Sequence, residues 1–339
     1  MARSFQGDGR PASEHAGVLV PANPGSIERA GELLRAGHLV AFPTETVYGL
    51  GANALDPRAV ARIFEVKGRP AFDPLIVHVL DESMLAEVAA GVPELARRLI
   101  DRFWPGPLTL VIDKSAAVPT LVTAGLDTVA VRSPAHPVAR ALLAAARVPV
   151  AAPSANRFGG LSPTRPEHVA SQLGERVDCI LDAGPSEHGV ESTIVLIAAE
   201  RPALLRHGAI PSEAIEPFTG PLLDATRPGD ARKGLAAPGM LASHYAPRTK
   251  LRVVDPATVS RAERERAGLL AFRRPADAAG YAAVRVLADD GDLRRAAATL
   301  FDALHELDAL GLERIDAEPV PETGVGRAIA DRLRRAANG

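Results

Sequence analysis

The sequence predicts an α/β protein of two unequal domains. Three observations carry this. Short β-rich apolar runs alternate with helical patterns from about residue 18 to 215. A stretch at 217–247 with five Pro and four Gly breaks the alternation. It resumes over 248–339, and 339 residues is two domains' worth of chain at roughly 100–200 residues each.

The leader 1–17 (MARSFQGDGRPASEHAG) is polar, Gly- and Pro-interrupted and without an apolar h-region, so it is expected to be disordered and not a secretory signal. Ile27, Ala30 and Leu34 recur at helical spacing behind Ser26, the expected N-cap. Strands are expected at 38–42 (HLVAF), 75–79 (LIVHV), 108–112 (LTLVI), 128–131 (TVAV), 148–152 (VPVAA), 179–181 (CIL) and 193–197 (TIVLI). Most of these runs are too short for helices and are bounded by Gly, Pro or polar residues. Asp56-Pro57 opens a helix at 57–66, and another strand closes at Arg206. Thr164 and Glu167 have capping-box spacing before a helix at 165–173. A structureless 217–247 would be long for a compact protein, so it reads as an inter-domain linker or a functional lid. Beyond it come strand 251–254, helix 257–266, strands 269–272 and 283–287, helix 291–310, strand 313–317 and helix 325–336. Leu300, Ala303, Leu304, Leu307 and Leu310 share one face of the long helix.

Composition excludes several functions. Lys and Arg number 39 against 41 Asp and Glu, which argues against a surface built to grip nucleic acid. Aromatic residues are only 4%, too few for a base-stacking platform. A single Cys179 excludes an internal disulfide and a four-thiolate zinc site, and suits a reducing, cytoplasmic setting. No apolar run reaches the ~18 residues of a membrane span. No internal repeat, H-E-x-x-H, close His/Cys cluster, G-x-S-x-G elbow or Walker A motif is present, so no protein-bound metal is expected.

Open α/β sheets place ligand groups at strand ends. There the chain carries 43–49 (PTETVYG), Arg132-Ser133, Pro153-Ser154-Ala155-Asn156, Glu191-Ser192 and Arg206. Hydroxyls and amides orient a ligand, and Arg grips carboxylate or phosphate in bidentate fashion. Ser, Asn and Pro also serve turns, but five such segments in one domain favour a site. Lys67-Gly68-Arg69-Pro70 reads either as an anion site or as cations answering a helix C-terminus. Gly49-Leu50-Gly51-Ala52-Asn53-Ala54 imitates G-x-G-x-x-A. It is rejected as a dinucleotide fingerprint because 43–48 separates it from the preceding strand and no helix follows directly. His78, alone in an apolar strand, reads first as structural.

Together FPTETVYGLGANA, KGRPAFDPLIVHV, WPGPLTLVI, TAGLDTVAVRSPAHP, APSAN, GVESTIV and LLRHGAI, in this order, resemble the Sua5/YrdC family. Pro-Gly-Met and His-Tyr-Ala-Pro at 238–247 resemble its long Sua5 form. The resemblance implies a YrdC-like twisted mixed sheet with a concave ligand cavity over 18–216, and a smaller Rossmann-like α/β domain over 248–339. It implies synthesis of threonylcarbamoyl-AMP and pyrophosphate from L-threonine, bicarbonate or CO2, and ATP with Mg2+. The product would pass to a tRNA threonylcarbamoyl-transferase complex for t6A at tRNA position 37, with tRNA binding weak or indirect and no membrane partner.

Carried over from the family, Lys67, Arg69, Ser154 and Asn156 are the expected catalytic residues. Thr46, His78, Arg132 and Ser192 are expected at threonine. Lys67, Arg69, Asp73, Thr128, Ser154, Ser162, Arg206, His244 and Tyr245 are expected at ATP. Asp73 departs from the family's usual Asn, and a carboxylate beside phosphates is unfavourable unless it meets Mg2+ or points away. The alternative is a YrdC-type RNA-binding module without catalysis. A carbamoyl-transfer maturation domain is disfavoured by the missing Cys-rich elements.

Overall fold

The computed structural model describes residues 18–197, 201–226 and 244–339. The expected leader at 1–17, and 227–243 of the expected linker or lid, lie outside the described residues.

In chain order the first unit contains β1 (Val18–Pro21), α1 (Pro24–Arg35), β2 (Val40–Phe42), β3 (Gly49–Asn53), α2 (Pro57–Lys67) and β4 (Ile76–His78). There follow α3 (Glu82–Val88), α4 (Glu94–Phe103), β5 (Leu108–Asp113), β6 (Thr128–Arg132), α5 (Pro137–Ala146), β7 (Val150–Ala151) and α6 (Pro166–Gln172). The unit closes with β8 (Cys179–Asp182), β9 (Thr193–Leu196), β10 (Ala203–Arg206), α7 (Ser212–Thr219) and β11 (Leu223–Asp224). Its strands form one mixed sheet in the order β1-β8-β2-β3-β7-β4-β6-β5-β9-β10-β11. The second unit contains β12 (Lys250–Val253), α8 (Arg261–Arg264), β13 (Ala267–Ala271), β14 (Ala283–Val286), α9 (Leu293–Asp308), β15 (Arg314–Ala317) and α10 (Gly326–Ala337). Its sheet is β12-β15-β13-β14, parallel throughout. No helix among the described residues is long and apolar enough to cross a membrane.

Both faces of the large sheet are covered. Leu50, Ile63, Val77, Leu99 and Leu110 centre one core with α2 and α4. Leu34, Phe42, Leu142 and Leu143 centre another under α1 and α5. A fully buried Leu contributes about 1.5–3 kcal/mol relative to an exposed one. The helices α1 and α5 approach closely because Gly31 faces Ala145: a Cβ there would sit 2.7 Å from the Ala145 carbonyl carbon. The core of the second unit is not its own alone. Val47, Leu161 and Val190 of the first unit pack into it with Leu300, Phe301 and Leu333.

Several expected elements differ in the structure. Asn23, not Ser26, caps α1, and Ser26 is the reciprocal N3 partner of the capping box. Pro166 is the first residue of α6, which places Glu167 too early to close a capping box. Thr164 Oγ1 is left buried without a partner among the described residues, and no side chain caps that end. The run 49–53 is a strand, antiparallel to β2, in spite of its two glycines. Gly51 is there for space: a Cβ would lie 2.9 Å from both Phe42 and Val150. The expected helix 257–266 is a 3-10 turn (Pro256–Thr258) followed by the short α8, which starts at a Ser260/Glu263 capping box. The stretch 217–247 is not structureless throughout. α7 runs through Pro217 to Thr219 because Ile215 is buried and Phe218 packs edge-on against Phe103, and β11 then pairs with β10.

Candidate functional site

Eight segments meet at one cleft. The β2–β3 connection contributes Thr44, Thr46 and Val47; the exit of α2 contributes Arg69; the ends of β4, β6 and β10 contribute His78, Arg132 and Arg206. Ser154 follows β7, Glu191-Ser192 precede β9, and His244-Tyr245 arrive from the link to the second unit. Strand ends gather these groups because the backbone there is released from the ladder and free to point at a ligand. A register shift between Leu204 and Arg206 turns Arg206 toward the cleft.

The basic residues are held individually. Arg132 donates from Nη1 to Thr46 Oγ1 at 2.9 Å and from Nε to the Gly106 carbonyl at 3.2 Å. Its Nη2 lies 2.6 Å from Glu45 Oε1, a buried ion pair whose angles do not make a hydrogen bond. Burial pushes the Glu45 carboxyl up, but Arg132 and backbone donors outweigh it and hold the group at about 2. Arg69 donates to the Asp73 and Pro74 carbonyls, and its Nη2 lies 2.8 Å from Asp73 Oδ2. Its Nη1 makes no hydrogen bond among the described residues. Arg206 donates to both the carbonyl and the Oγ of Ser192, and Ser192 Oγ shares a further bond with Thr109. Gly208 permits this closeness: a Cβ there would fall 2.3 Å from the Ser192 carbonyl carbon.

Two histidines face the cleft uncharged. Burial, then Arg132, push His78 down to about 3, and burial with Arg69 does the same to His244. Nδ1 of each is buried without a partner among the described residues. Buried polar atoms in that state are costly, which favours a ligand donor or a water meeting them. His244 packs edge-on against Phe158. Tyr245 has a left-handed backbone (φ +62) and is fixed by Ala246 N donating to the Gly159 carbonyl and by the Arg332 guanidinium 4.9 Å from its ring centre. The cleft encloses about 50 Å3. A larger cavity between α7, β10 and α10 carries none of the expected site residues.

The expected residues that do not line the cleft are Lys67, Asp73, Thr128, Asn156 and Ser162. Lys67 sits behind the wall. Its ammonium donates to the Ser154 carbonyl at 2.7 Å and to the Asn156 carbonyl, so it fixes the 154–156 loop from beneath. Burial, with Arg69 adding, lowers its pKa well below that of a free lysine. Asn156 Nδ2 donates to the Arg157 and Gly160 carbonyls. Asp73 is buried beside Arg69, and burial pushes its carboxyl above the usual range although the Arg69 and Lys67 cations oppose that. Thr128 begins β6, on the same face as Arg132 but four residues away, about 13 Å along the strand. Ser162 Oγ donates to Glu191 Oε1 at 2.5 Å. Among the described residues no group of three metal-ligating side chains is present. Arg332 was not singled out from the sequence, and Glu45 and Glu191 only as members of strand-end segments, without their arginine partners. The partners of Glu45, Glu191 and Arg332 lie 87, 141 and 141 positions away, beyond any local pattern.

Comparison with known proteins places these features in a family. Residues 32–208 match the Sua5/YciO/YrdC model, described as telomere recombination, and residues 210–338 match the model described as threonylcarbamoyl-AMP synthase, C-terminal domain. A threonylcarbamoyl-AMP synthase of Bacillus subtilis is 44% identical over 326 residues, covering 94% of each chain. The crystal structure of Pyrococcus abyssi Sua5 complexed with L-threonine superposes with a TM-score of 0.86 at 43% identity, covering 93% of this chain and 95% of that one. A P. abyssi Sua5 variant with an adjacent His and Tyr both changed to Ala superposes at 0.87 with 41% identity, covering 95% and 96%. His244-Tyr245 is the sole His-Tyr pair in the present sequence.

Proposed function

The chain belongs to the Sua5/YrdC family, in its long two-domain form, and from that premise we propose how its cleft makes threonylcarbamoyl-AMP. L-Threonine is the amino-acid substrate. The co-substrates are bicarbonate or CO2, and ATP; the reaction is a nucleotidyl transfer releasing pyrophosphate. The observation that carries this reading is the convergence of Arg69, Arg132 and Arg206 with Thr46, Ser154 and Ser192 on one cleft.

The threonine nitrogen, its ammonium proton lost to solvent, adds to CO2 and gives up a second proton to form a carbamate (from bicarbonate, water leaves instead). A carbamate oxygen then attacks the α-phosphorus, breaking its bond to the bridging oxygen and expelling pyrophosphate. Neither step needs a protein nucleophile. Both need anions held together, at effective molarities that solution does not reach. Arg132, pre-set by Glu45 and Gly106, meets the threonine carboxylate, and Thr46 and Ser192 orient its polar groups. Neutral His78 offers a hydrogen bond without adding charge. Arg69 and Arg206 balance the triphosphate, while Lys67 and Asn156 shape the loop that presents Ser154. Thr128 extends the same face toward the nucleoside. Ser162 acts through Glu191.

Mg2+ fits as part of the nucleotide. Asp73, Glu45 and Glu191 are each committed to an arginine, so phosphate oxygens are the ligands left to hold it. The ion adds charge neutralisation at the phosphates. His244 and Tyr245 line the cleft from the side of the second unit, where they would shield a hydrolysable carbamate and mixed anhydride from water. The product is passed to a tRNA threonylcarbamoyl-transferase complex, and buried, reduced Cys179 suits a cytoplasmic enzyme.

The test is pyrophosphate release with ATP, threonine and bicarbonate, with threonylcarbamoyl-AMP detected by mass spectrometry. Arg69→Ala and Arg132→Ala should each lower kcat/KM by about a hundredfold or more. Near wild-type turnover in both would remove the cleft from the chemistry.

A further inference from the structure

The cleft wall contains a carboxylate, Glu191, where a triphosphate and a carboxylate substrate are to lie. An anion there opposes binding unless something cancels it. What cancels it comes from the other domain. Arg332, on α10, has no exposed side-chain surface and donates from Nε to Glu191 Oε2 at 2.8 Å. Its Nη2 donates to the His207 carbonyl at 3.0 Å, its Nη1 meets Asp331 at 2.8 Å, and its plane faces the Tyr245 ring. The other oxygen of Glu191 accepts from Ser162, whose carbonyl lies 3.2 Å from His305 Nε2 on α9. Glu191 is thus held by the second domain directly, through Arg332, and indirectly, through the Ser162 segment. The next residue, Ser192, carries Arg206.

We propose that Arg332 is a positioning residue for the reaction: by pairing with Glu191 it cancels the one negative charge that the described residues place on the cleft lining, and lets the second domain set the affinity for the anionic nucleotide. The proposal rests on the reading that ATP occupies this cleft. A second domain without catalytic groups of its own then has a chemical task, which is to supply a counter-charge. Truncating one partner of a buried pair leaves the other charge uncompensated, so the effect should appear as weakened nucleotide binding and not as a slowed chemical step.

A double-mutant cycle tests this in the full-length protein, with steady-state pyrophosphate release as the assay and thermal melts to verify folding. Arg332→Met should raise the KM for ATP by about tenfold or more, more than the KM for threonine and more than it lowers kcat. Introduced together with Glu191→Gln, Arg332→Met should raise the ATP KM by less than about threefold over Glu191→Gln alone, because no charge remains to be cancelled. An equal rise in both backgrounds would overturn the proposal and assign Arg332 to packing under Tyr245; so would no rise in either. Should Arg332→Met not fold, Arg332→Lys keeps the charge but not the forked donors, and should raise the ATP KM by less than about tenfold. A tenfold rise in a folded Lys variant would equally overturn it. A wild-type protein that released no pyrophosphate from ATP would instead refute the functional reading, before the cycle began.

Discussion

Individual side chains in the cleft do two jobs, contact and compensation, and only the first leaves a mark in the sequence. Glu45 belongs to the second group. Its carboxyl is lowered from an ordinary 4.5 to about 2, so its charge stabilises the folded state above pH 4.5, and that contribution drains away as pH falls toward 2. The shift corresponds to about 3 kcal/mol at pH 7 and about 1 kcal/mol at pH 3. Glu45→Gln should therefore cost stability in urea unfolding at pH 7 and much less at pH 3; a pH-independent cost would refute the pairing with Arg132. The cleft-lining residues Thr46, Ser154, Ser192, Arg132 and Arg206 were readable because they sit beside β-rich apolar runs that announce strand ends. The compensating carboxylates were not, because a Glu or Asp in a loop looks the same whether it faces solvent or a guanidinium far away in the chain. Lys67, which its place beside Arg69 suggests as a phosphate ligand, has its ammonium on the Ser154 and Asn156 carbonyls, while the same helix exit aims Arg69 into the cleft.

Among the elements, helices and strands with a strong period were legible and their ends were not. β3 was hidden because its two glycines lower strand propensity, and only the closeness of Phe42 and Val150 explains them. α7 was hidden by Pro217, whose cost is offset by Ile215 and Phe218. Helix contacts allow a prediction with two opposing terms. Gly31→Ala would gain about 1 kcal/mol of helix propensity in α1, but its methyl meets the backbone of α5 at 2.7 Å, and overpacking costs about 1–3 kcal/mol. Backbone cannot yield as a side-chain tip can, so the net should be a loss of about 1–2 kcal/mol in chemical denaturation. Gly68, the left-handed C-cap of α2 (φ +64), has open space around it, so Gly68→Ala should cost only backbone strain, about 1 kcal/mol. A stability gain from either change would contradict these packing accounts.

Across the whole molecule, two domains were legible from the Pro- and Gly-rich break, but their mutual dependence was not. Val47, Leu161 and Val190 are buried against Leu300, Phe301 and Leu333, and Arg165 forms a bidentate pair with Asp302 across the same boundary. Gly189 lies so close to α9 that a Cβ would come within 2.4 Å of the Ala297 carbonyl oxygen. Deleting 217–339 should therefore do more than open a lid. The remaining piece exposes an apolar patch, loses the partner of Glu191 and should both self-associate in sedimentation and show a raised ATP KM. A monodisperse truncated protein with unchanged kinetics would contradict this account of the interface.

Gly208 bears on any attempt to retailor the enzyme for another amino acid. Behind Ser192 there is no room for even a methyl group, so mutant libraries that randomise position 208 will return mostly damaged protein. A roomier or narrower berth must be carved from the apolar lining, where Val47 and Ile76 supply side chains that can be trimmed or swollen.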